Sequence, residues 1–519
     1  MKKYAILRLL LVLGLASLFV VPASALSSQG QLRHQVQLTF FGEDLDPLVD
    51  EITVTVTIQA IRALEKVQRQ THTYKQIDAF TDPDFYVVLF INDKKFESSV
   101  WHNQPYVYQP WSASAVVPKD NDLVNITIQL WDWELGVDKR VDISNNYESY
   151  QKSFEARITY SVKTGIWFGD DYNGDISGYG RLNGCDDGSI NERERDAEIW
   201  FDIMQNDFDH DGIPYWAEVN VFGTDPTVDN RGDDPDNDQI PYEWEYKWGG
   251  NGGYDWDGNI TYYWAYDPFS WENFTQLDPD QDGLTHLQEY LTSQWGSDPF
   301  RKDLFVELDQ MQTGPNGEES RLPEGSKELI RNAFDSHNIV YHLDDGSMGG
   351  SDMIPFSEYV EYEDLQAIYL NYFLHGNVSN WRRGVFHYGL VVYNASYGGF
   401  VFWGGQAPYI DSYQISSKQM EKKARIPTLD HDVVYASAYM HECGHTLALM
   451  GDNPPGCDLQ DSKFPWQRNW WVFAPYKSIM NYHYMYQMVD YSDGSRGKND
   501  YNDWANLDLT FFNTPLWDE

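Results

Sequence analysis

Apolar and polar positions alternate through the first third of the chain. The runs "EITVTVTIQAI", "DFYVVLFIN", "LVNITIQLWDWE" and "FEARITYSV" are rich in β-branched and aromatic residues, and polar turns separate them. A period of two predicts strands with one buried face, so residues 32–165 are expected to form an all-β sandwich. Residues 166–300 lose that pattern. They are acidic, rich in Gly, Asn and Trp, and short of long regular elements. Residues 302–519 mix the strand and helix periods. "KDLFVELDQM", "GVFHYGLVVYNAS" and "GGFVFWGG" predict strands, and "EGSKELIRNAFDSHNI" predicts a helix. "DHDVVYASAYMHECGHTLALM" predicts a long helix running to Met450, stopped by Gly451 and then by Pro454 and Pro455. The expected fold class is multidomain: an N-terminal all-β sandwich, a loop-rich acidic middle, and a C-terminal α/β (α+β) domain.

The acidic middle repeats one spacing three times. "DFDHDGIPYWAE" carries Asp207, Asp209, Asp211 and Glu218. "DPDNDQIPYEWE" carries Asp234, Asp236, Asp238 and Glu245, and "DPDQDGLTHLQE" carries Asp278, Asp280, Asp282 and Glu289. Each run places carboxylates at loop positions 1, 3, 5 and 12. Ca²⁺ takes about six to eight oxygen ligands, and this spacing wraps a loop around one ion. Gly212 and Gly283 occupy position 6, where the chain turns sharply; Gln239 breaks the pattern in the second loop. The repeats resemble those of thrombospondin type 3 and dockerin-like modules. That resemblance implies a calcium-binding region with an EF-hand-like ligand order. Such loops are expected to bury little apolar surface and to be ordered by their ions.

Composition narrows the function. The chain of 519 residues has 80 acidic against 37 basic side chains, a formal charge of −43. A nucleic-acid partner is excluded on that balance, and cation binding is favoured. With 42% hydrophobic and 16% aromatic residues, the chain has the material for sizeable cores. Lys2, Lys3 and Arg8 precede an apolar run at 9–21, and "PASA" follows. Residues 1–25 therefore read as a signal peptide, and the protein as secreted or held at the cell surface. Three cysteines exclude a disulfide scaffold; Cys443 and Cys457 are near enough in sequence to pair, leaving Cys185 odd.

In the front region, Asp78 and Asp84 stand six residues apart before a strand, and "LWDWE" supplies Asp132 and Glu134, with Asp138 nearby. This resembles the calcium loops of C2-type sandwiches and implies these residues as candidate calcium ligands. A plain spacer with acidic turns fits equally. No basic patch supports contact with an anionic membrane surface.

The chemistry concentrates in "MHECGHTLALMGDNPPGCD". On a helix, residues four apart share a face, so His441 and His445 can offer two nitrogens to one Zn²⁺. Zinc lowers the pKa of a water, and Glu442 is placed to accept its proton for attack on a carbonyl. Downstream, "YKSIMNYHY" contains Ser478-Ile479-Met480-Asn481-Tyr482. Together the two segments resemble the metzincin zinc peptidases. The resemblance implies Met480 as the Met-turn and Tyr482 as the group that stabilises the oxyanion. In that clan a Gly ends the helix three residues after the second His, and the chain returns with the third ligand. Here Ala448 stands at that position. With a helix to Met450, Asp452 would lie on the order of 10 Å along the axis from His445. Asp458, beyond the "NPPG" turn, is then the leading candidate for third ligand; Asp452 and His483 are the alternatives. Cys443 reads as structural.

The function expected is that of a secreted zinc metalloendopeptidase, a hydrolase acting on polypeptide, with calcium-stabilised accessory regions. The substrate is expected to lie extended beside an edge strand such as "GVFHYGLVV". The alternative is a calcium-dependent cell-surface or adhesion protein with a structural or inactive zinc site.

Overall fold

The computed structural model describes residues 32–34, 44–64, 77, 82–144, 154–171, 180–184, 196–254, 260–337, 339–401, 410–451 and 453–513. The leading segment 1–25, Asp78, Cys185 and Asp452 lie outside the described residues.

The front region is a two-sheet sandwich. In Ile52–Ala63, Ile52, Val54, Val56 and Ile58 are buried while the residues between them are partly exposed, as a period of two demands. That strand pairs with Ala197–Gln205 on one side and with Trp111–Val117 and Tyr106–Val107 on the other. The facing sheet pairs Phe85–Ile91, Leu123–Asp132 and Glu155–Ser161. Inward side chains from both sheets, among them Phe85, Val87, Ile126, Leu130, Ile199 and Phe201, make one core.

Two boundaries change. The sandwich does not end at 165, because Gly180–Asn183 and Ala197–Gln205 belong to its second sheet. Those strands sit within residues 166–300, whose acidic average hides them. At the other end, Leu32–His34 pairs with Ile260–Trp264, in a three-stranded sheet completed by Gly250–Tyr254. That start of the chain belongs with the middle region.

The middle region is less bare of apolar packing than expected. The seventh residue of each loop, Ile213, Ile240 or Leu284, is buried. Each loop leads into a short helix, Tyr215–Ala217, Tyr242–Gly249 or His286–Thr292. Trp244, Trp248, Tyr266 and Phe274 form an aromatic cluster behind the second and third loops. The region therefore has small apolar cores of its own, which give it order besides any metal its loops could hold.

The C-terminal region is a mixed sheet under helices. Its order is Val340–Asp344, Asp303–Met311, Phe386–Val392, Ser412–Ser416 and Gly399–Val401. The first four strands are parallel, and Gly399–Val401 is antiparallel at the edge. Every residue of Phe386–Val392 is buried, which is the signature of a parallel strand covered on both faces. That strand is central. It cannot serve as the edge for a substrate, so the expectation placed on "GVFHYGLVV" is wrong. The sheet's edges are Val340–Asp344 and Gly399–Val401, and the second lies against Glu442. Helices Glu324–Asp335 and His431–Thr446 cover one face of the sheet, with Ile330, Phe334, Tyr439 and Met440 among the buried contacts.

A buried charge network joins front to back. Arg62 pairs with Glu198 at 2.7 Å and also with Asp335 of the C-terminal region; Arg181 and Arg301 face the same glutamate. All five side chains are buried. Three arginines face two carboxylates, so removing Glu198 or Asp335 would strand buried positive charge, and the network fixes the two regions together. Among the described residues, no helix is long and apolar enough to cross a membrane.

Candidate functional site

The helix His431–Thr446 opens with Asp430, whose carboxylate accepts from the backbone N–H groups of Asp432 and Val433. It ends one residue after His445, a turn earlier than expected. Leu447 is the C-cap, and Ala448 takes a left-handed φ of 71°. Ala448 thus adopts the conformation a Gly usually supplies, and the chain reverses there despite its Cβ. The longer helix predicted to Met450 does not form.

The reversal carries Asp458, itself at φ 57°, back to the histidines. Its Oδ1 lies 3.2 Å from His441 Nε2, and its Oδ2 lies 3.4 Å from His445 Nε2. The other ring nitrogens are committed. His441 Nδ1 donates to the carbonyl of Ile479 at 2.9 Å, and His445 Nδ1 donates to that of Leu449 at 2.5 Å. With both Nδ1 atoms committed to carbonyls, each ring turns Nε2 towards the carboxylate. Either a proton or a metal cation must stand between those atoms and the carboxylate, and the three residues form a group with metal-ligand spacing.

The electrostatics agree. Burial would lower His441, but the hydrogen bond to Asp458 and the charges of Glu442 and Asp458 push it up to about 9. Burial would raise Asp458, yet His441, His445 and the Tyr482 hydroxyl hold it at about 2. Burial and then the neighbouring His441 bring His445 down to about 4. The site wants positive charge.

Glu442 points elsewhere. Its carboxyl is pushed up to about 8, chiefly by burial. It lies against the edge strand, where a Cβ on Gly399 would collide with its carboxylate. Tyr482 stacks on His441, ring centroids 5.7 Å apart, and hydrogen-bonds Asp458. Met480 is fully buried under the helix; a Cβ on Gly444 would come within 2.9 Å of its sulfur. The Ser478–Tyr482 turn therefore supports the pair of histidines from below. His483 is turned away, stacked on Trp470 at 4.1 Å and on Tyr484, and does not join the group. Cys443 and Cys457 are buried and not joined in a disulfide; burial pushes the Cys443 thiol up to about 12, leaving it inert.

The three acidic loops also close. In each, the aspartates at positions 1, 3 and 5 converge as a group able to hold a metal ion. Gly212 and Gly283 take φ values of 92° and 96°, and Gln239 adopts 85° in the second loop, so the turn survives without Gly. Glu218, Glu245 and Glu289 are buried beside their loops. Both carboxylate oxygens of Glu245 lack a hydrogen-bond partner, as do Asp207 Oδ1 and Asp280 Oδ2. Burial, then the neighbouring carboxylates, pushes Glu218 to about 8 and Glu245 to about 10.

Two further carboxylates meet these loops from outside the repeat. Glu272 has a buried, unpartnered Oε2 and raises Glu245. Asp303 groups with Asp282 and Glu289. Neither is visible from loop spacing, because the fold delivers both.

The front loops differ. Asp132 Oδ1 accepts from the backbone N–H of Asp84 at 3.0 Å, and Asp138 accepts from Tyr86 at 2.9 Å and from the N–H of Glu134 at 3.1 Å. Lys139 sits 3.8 Å from Asp132 and pairs with Glu134. Among the described residues, Asp84, Asp132 and Glu134 form no metal-binding group, and Asp78, the fourth candidate ligand, lies outside them.

No family model matches the chain, and no curated protein matches it. Solved structures give partial likenesses. A human GIVD cytosolic phospholipase A2 is 9% identical with a TM-score of 0.18; the match covers 30% of this chain and only 17% of that one. A C2 domain protein from Ramazzottius varieornatus is 10% identical, with 30% and 87% of the two chains covered and a TM-score of 0.18. A C2 domain of a plant extended synaptotagmin 1 is 11% identical, with 30% and 93% covered and a TM-score of 0.18.

Proposed function

We propose that this chain is an exported zinc endopeptidase whose middle region holds calcium. The observation that supports it is the convergence of His441 Nε2, His445 Nε2 and the Asp458 carboxylate, with both Nδ1 atoms already donated to carbonyls. Two imidazoles and a carboxylate are a donor set suited to Zn²⁺, and three protein ligands leave a position for reaction. Bound there, zinc supplies Lewis-acid chemistry.

The protein groups supply the rest. In its ionised form, Glu442 would take a proton from the water that attacks the peptide carbonyl and pass it to the departing amine as the C–N bond breaks. The Tyr482 hydroxyl, released from Asp458, donates a hydrogen bond to the oxyanion that develops. The edge strand Gly399–Val401 offers backbone groups to an extended polypeptide, next to Glu442. Calcium in the three loops, bound through Asp207, Asp234 and Asp278 and their partners, neutralises buried carboxylates.

The test compares wild type with Glu442→Ala on casein, with the zinc content of both measured. Cleavage by wild type, with zinc retained and cleavage lost in the variant, supports the reading. Zinc in both but cleavage by neither favours a structural metal site in an adhesion protein. Absence of zinc from the wild type overturns the ligand set.

A further inference from the structure

The third acidic loop lies against the first strand of the C-terminal sheet. Asp303, the first residue of Asp303–Met311, is 2% exposed. Its backbone N–H donates to Asp282 Oδ2 at 2.7 Å. One ligand atom from each of Asp282, Glu289 and Asp303 lies within 4.8 Å of the others, and all three side chains are buried. Asp278 and Asp280 form a second such group with the same Asp282, so two triads of carboxylates meet at that residue.

Burying so much like charge is very unfavourable without a counter-cation. Among the described residues, no Lys or Arg makes an ion pair with any of the five; His342 touches Asp303 alone. Hydrogen bonds reach most of these oxygens, yet two buried ones stay open. Glu289 is 1% exposed, and its Oε1 is aimed into the cluster with no partner, while Asp280 Oδ2 is also unpartnered. Every donor atom is a carboxylate oxygen, which selects a hard divalent cation of the calcium type.

We propose that Asp303 is a ligand of the calcium ion in the third loop, so that this ion ties the loop and its helix to the strand at the heart of the C-terminal sheet. The inference rests on the calcium reading of the loops and goes one step past it. The tie reaches far. Asp303 Oδ2 also accepts from the N–H of Asp298 at 2.8 Å, holding the "GSDP" turn. From Asp303 the strand runs beside Phe386–Val392, and the next strand of the sheet, Ser412–Ser416, packs under the His441–His445 helix. Calcium at this one loop therefore governs the order of the sheet that carries the candidate zinc site, whereas calcium at the first two loops does not.

Hydrogen exchange on the full-length, zinc-loaded protein tests this, with calcium as the probe. Adding calcium to wild type should slow exchange of the Leu304 and Phe305 amides by about tenfold or more. In Asp278→Asn, which removes a ligand of the same loop, that slowing should be lost; in Asp209→Asn, a ligand of the first loop, it should persist. Calcium titration of Asp303→Asn should show one site weakened by about tenfold or more and the others unchanged. If the strand amides ignore calcium while Asp278→Asn still loses a site, the tie through Asp303 is overturned and the loop reading stands. If Asp278→Asn binds as many ions as wild type, the loop reading itself falls. The exchange arm uses wild-type protein, so a folding defect in Asp303→Asn does not decide the matter.

Discussion

The backbone N–H of Asp458 donates to the carbonyl oxygen of Met480 at 3.1 Å. One residue earlier, the Ile479 carbonyl accepts from His441 Nδ1. A single turn thus sets the ring orientation of one candidate ligand and the backbone position of another. Ser478 holds that turn, its hydroxyl accepting from the Met480 N–H at 3.1 Å. The turn works by geometry, not by touching the metal position.

Asp458→Ala should therefore lose zinc. The expected fall in affinity exceeds the roughly 10–100-fold typical of removing an outer hydrogen-bond partner of a ligand. Competition with a chromophoric chelator measures it. Asp452→Ala and His483→Ala should bind zinc as wild type does. A normal affinity in Asp458→Ala would remove Asp458 from the ligand set.

Ala448 holds a left-handed backbone with a Cβ in place. That conformation costs a non-Gly residue about 1 kcal/mol or somewhat more. Ala448→Gly should raise stability by about 1 kcal/mol in denaturant unfolding, with zinc affinity unchanged. A loss of stability would mean that the Cβ contributes packing greater than its strain.

In calcium-depleted, zinc-replete buffer, stability should fall as pH rises. Burial, then neighbouring carboxylates, holds Glu218 at about 8 in the folded chain against an ordinary 4.5, and Asp280 at about 10 against 3.8. Between those values the native state keeps protons that the unfolded chain has released. Stability is thus complete below the unfolded values and is lost on the way to the folded ones. Calcium takes the place of the protons. Calorimetry from about pH 5 to about pH 8 should show the melting temperature dropping without calcium and holding or rising with it. Parallel declines in both buffers would contradict this.

What the sequence disclosed follows from how local each signal is. His441, Glu442 and His445 share one helix, and the loop carboxylates lie within twelve positions of one another, so spacing alone identifies them as candidates. Asp303 and Glu272 reach the loops through tertiary packing, which no local window contains. The helix that carries His441 and His445 stops short of its predicted end because Ala448 bears no sequence mark of a left-handed cap. Phe386–Val392 lies at the centre of its sheet because strand order depends on crossovers, not on the strand's own pattern. Ala197–Gln205 escapes the strand pattern because the acidic residues around it set the average. Lys139 is one of 37 basic residues and ordinary until its ammonium is seen beside Glu134.

Gly399 gives the sharpest test of the substrate edge. It lies on the antiparallel strand Gly399–Val401, paired with Ile415, and any Cβ there meets the Glu442 carboxylate. Gly399→Ala should push Glu442 aside without touching His441, His445 or Asp458. A displacement of about 1 Å in a catalytic group costs on the order of 100-fold in rate. The variant should therefore keep its zinc and its melting temperature and lose about two orders of magnitude in kcat on a peptide substrate. Loss of zinc together with activity would mean that the strand supports the metal ligands instead. Undiminished kcat would separate Glu442 from the proton transfer and weaken the peptidase reading at its centre.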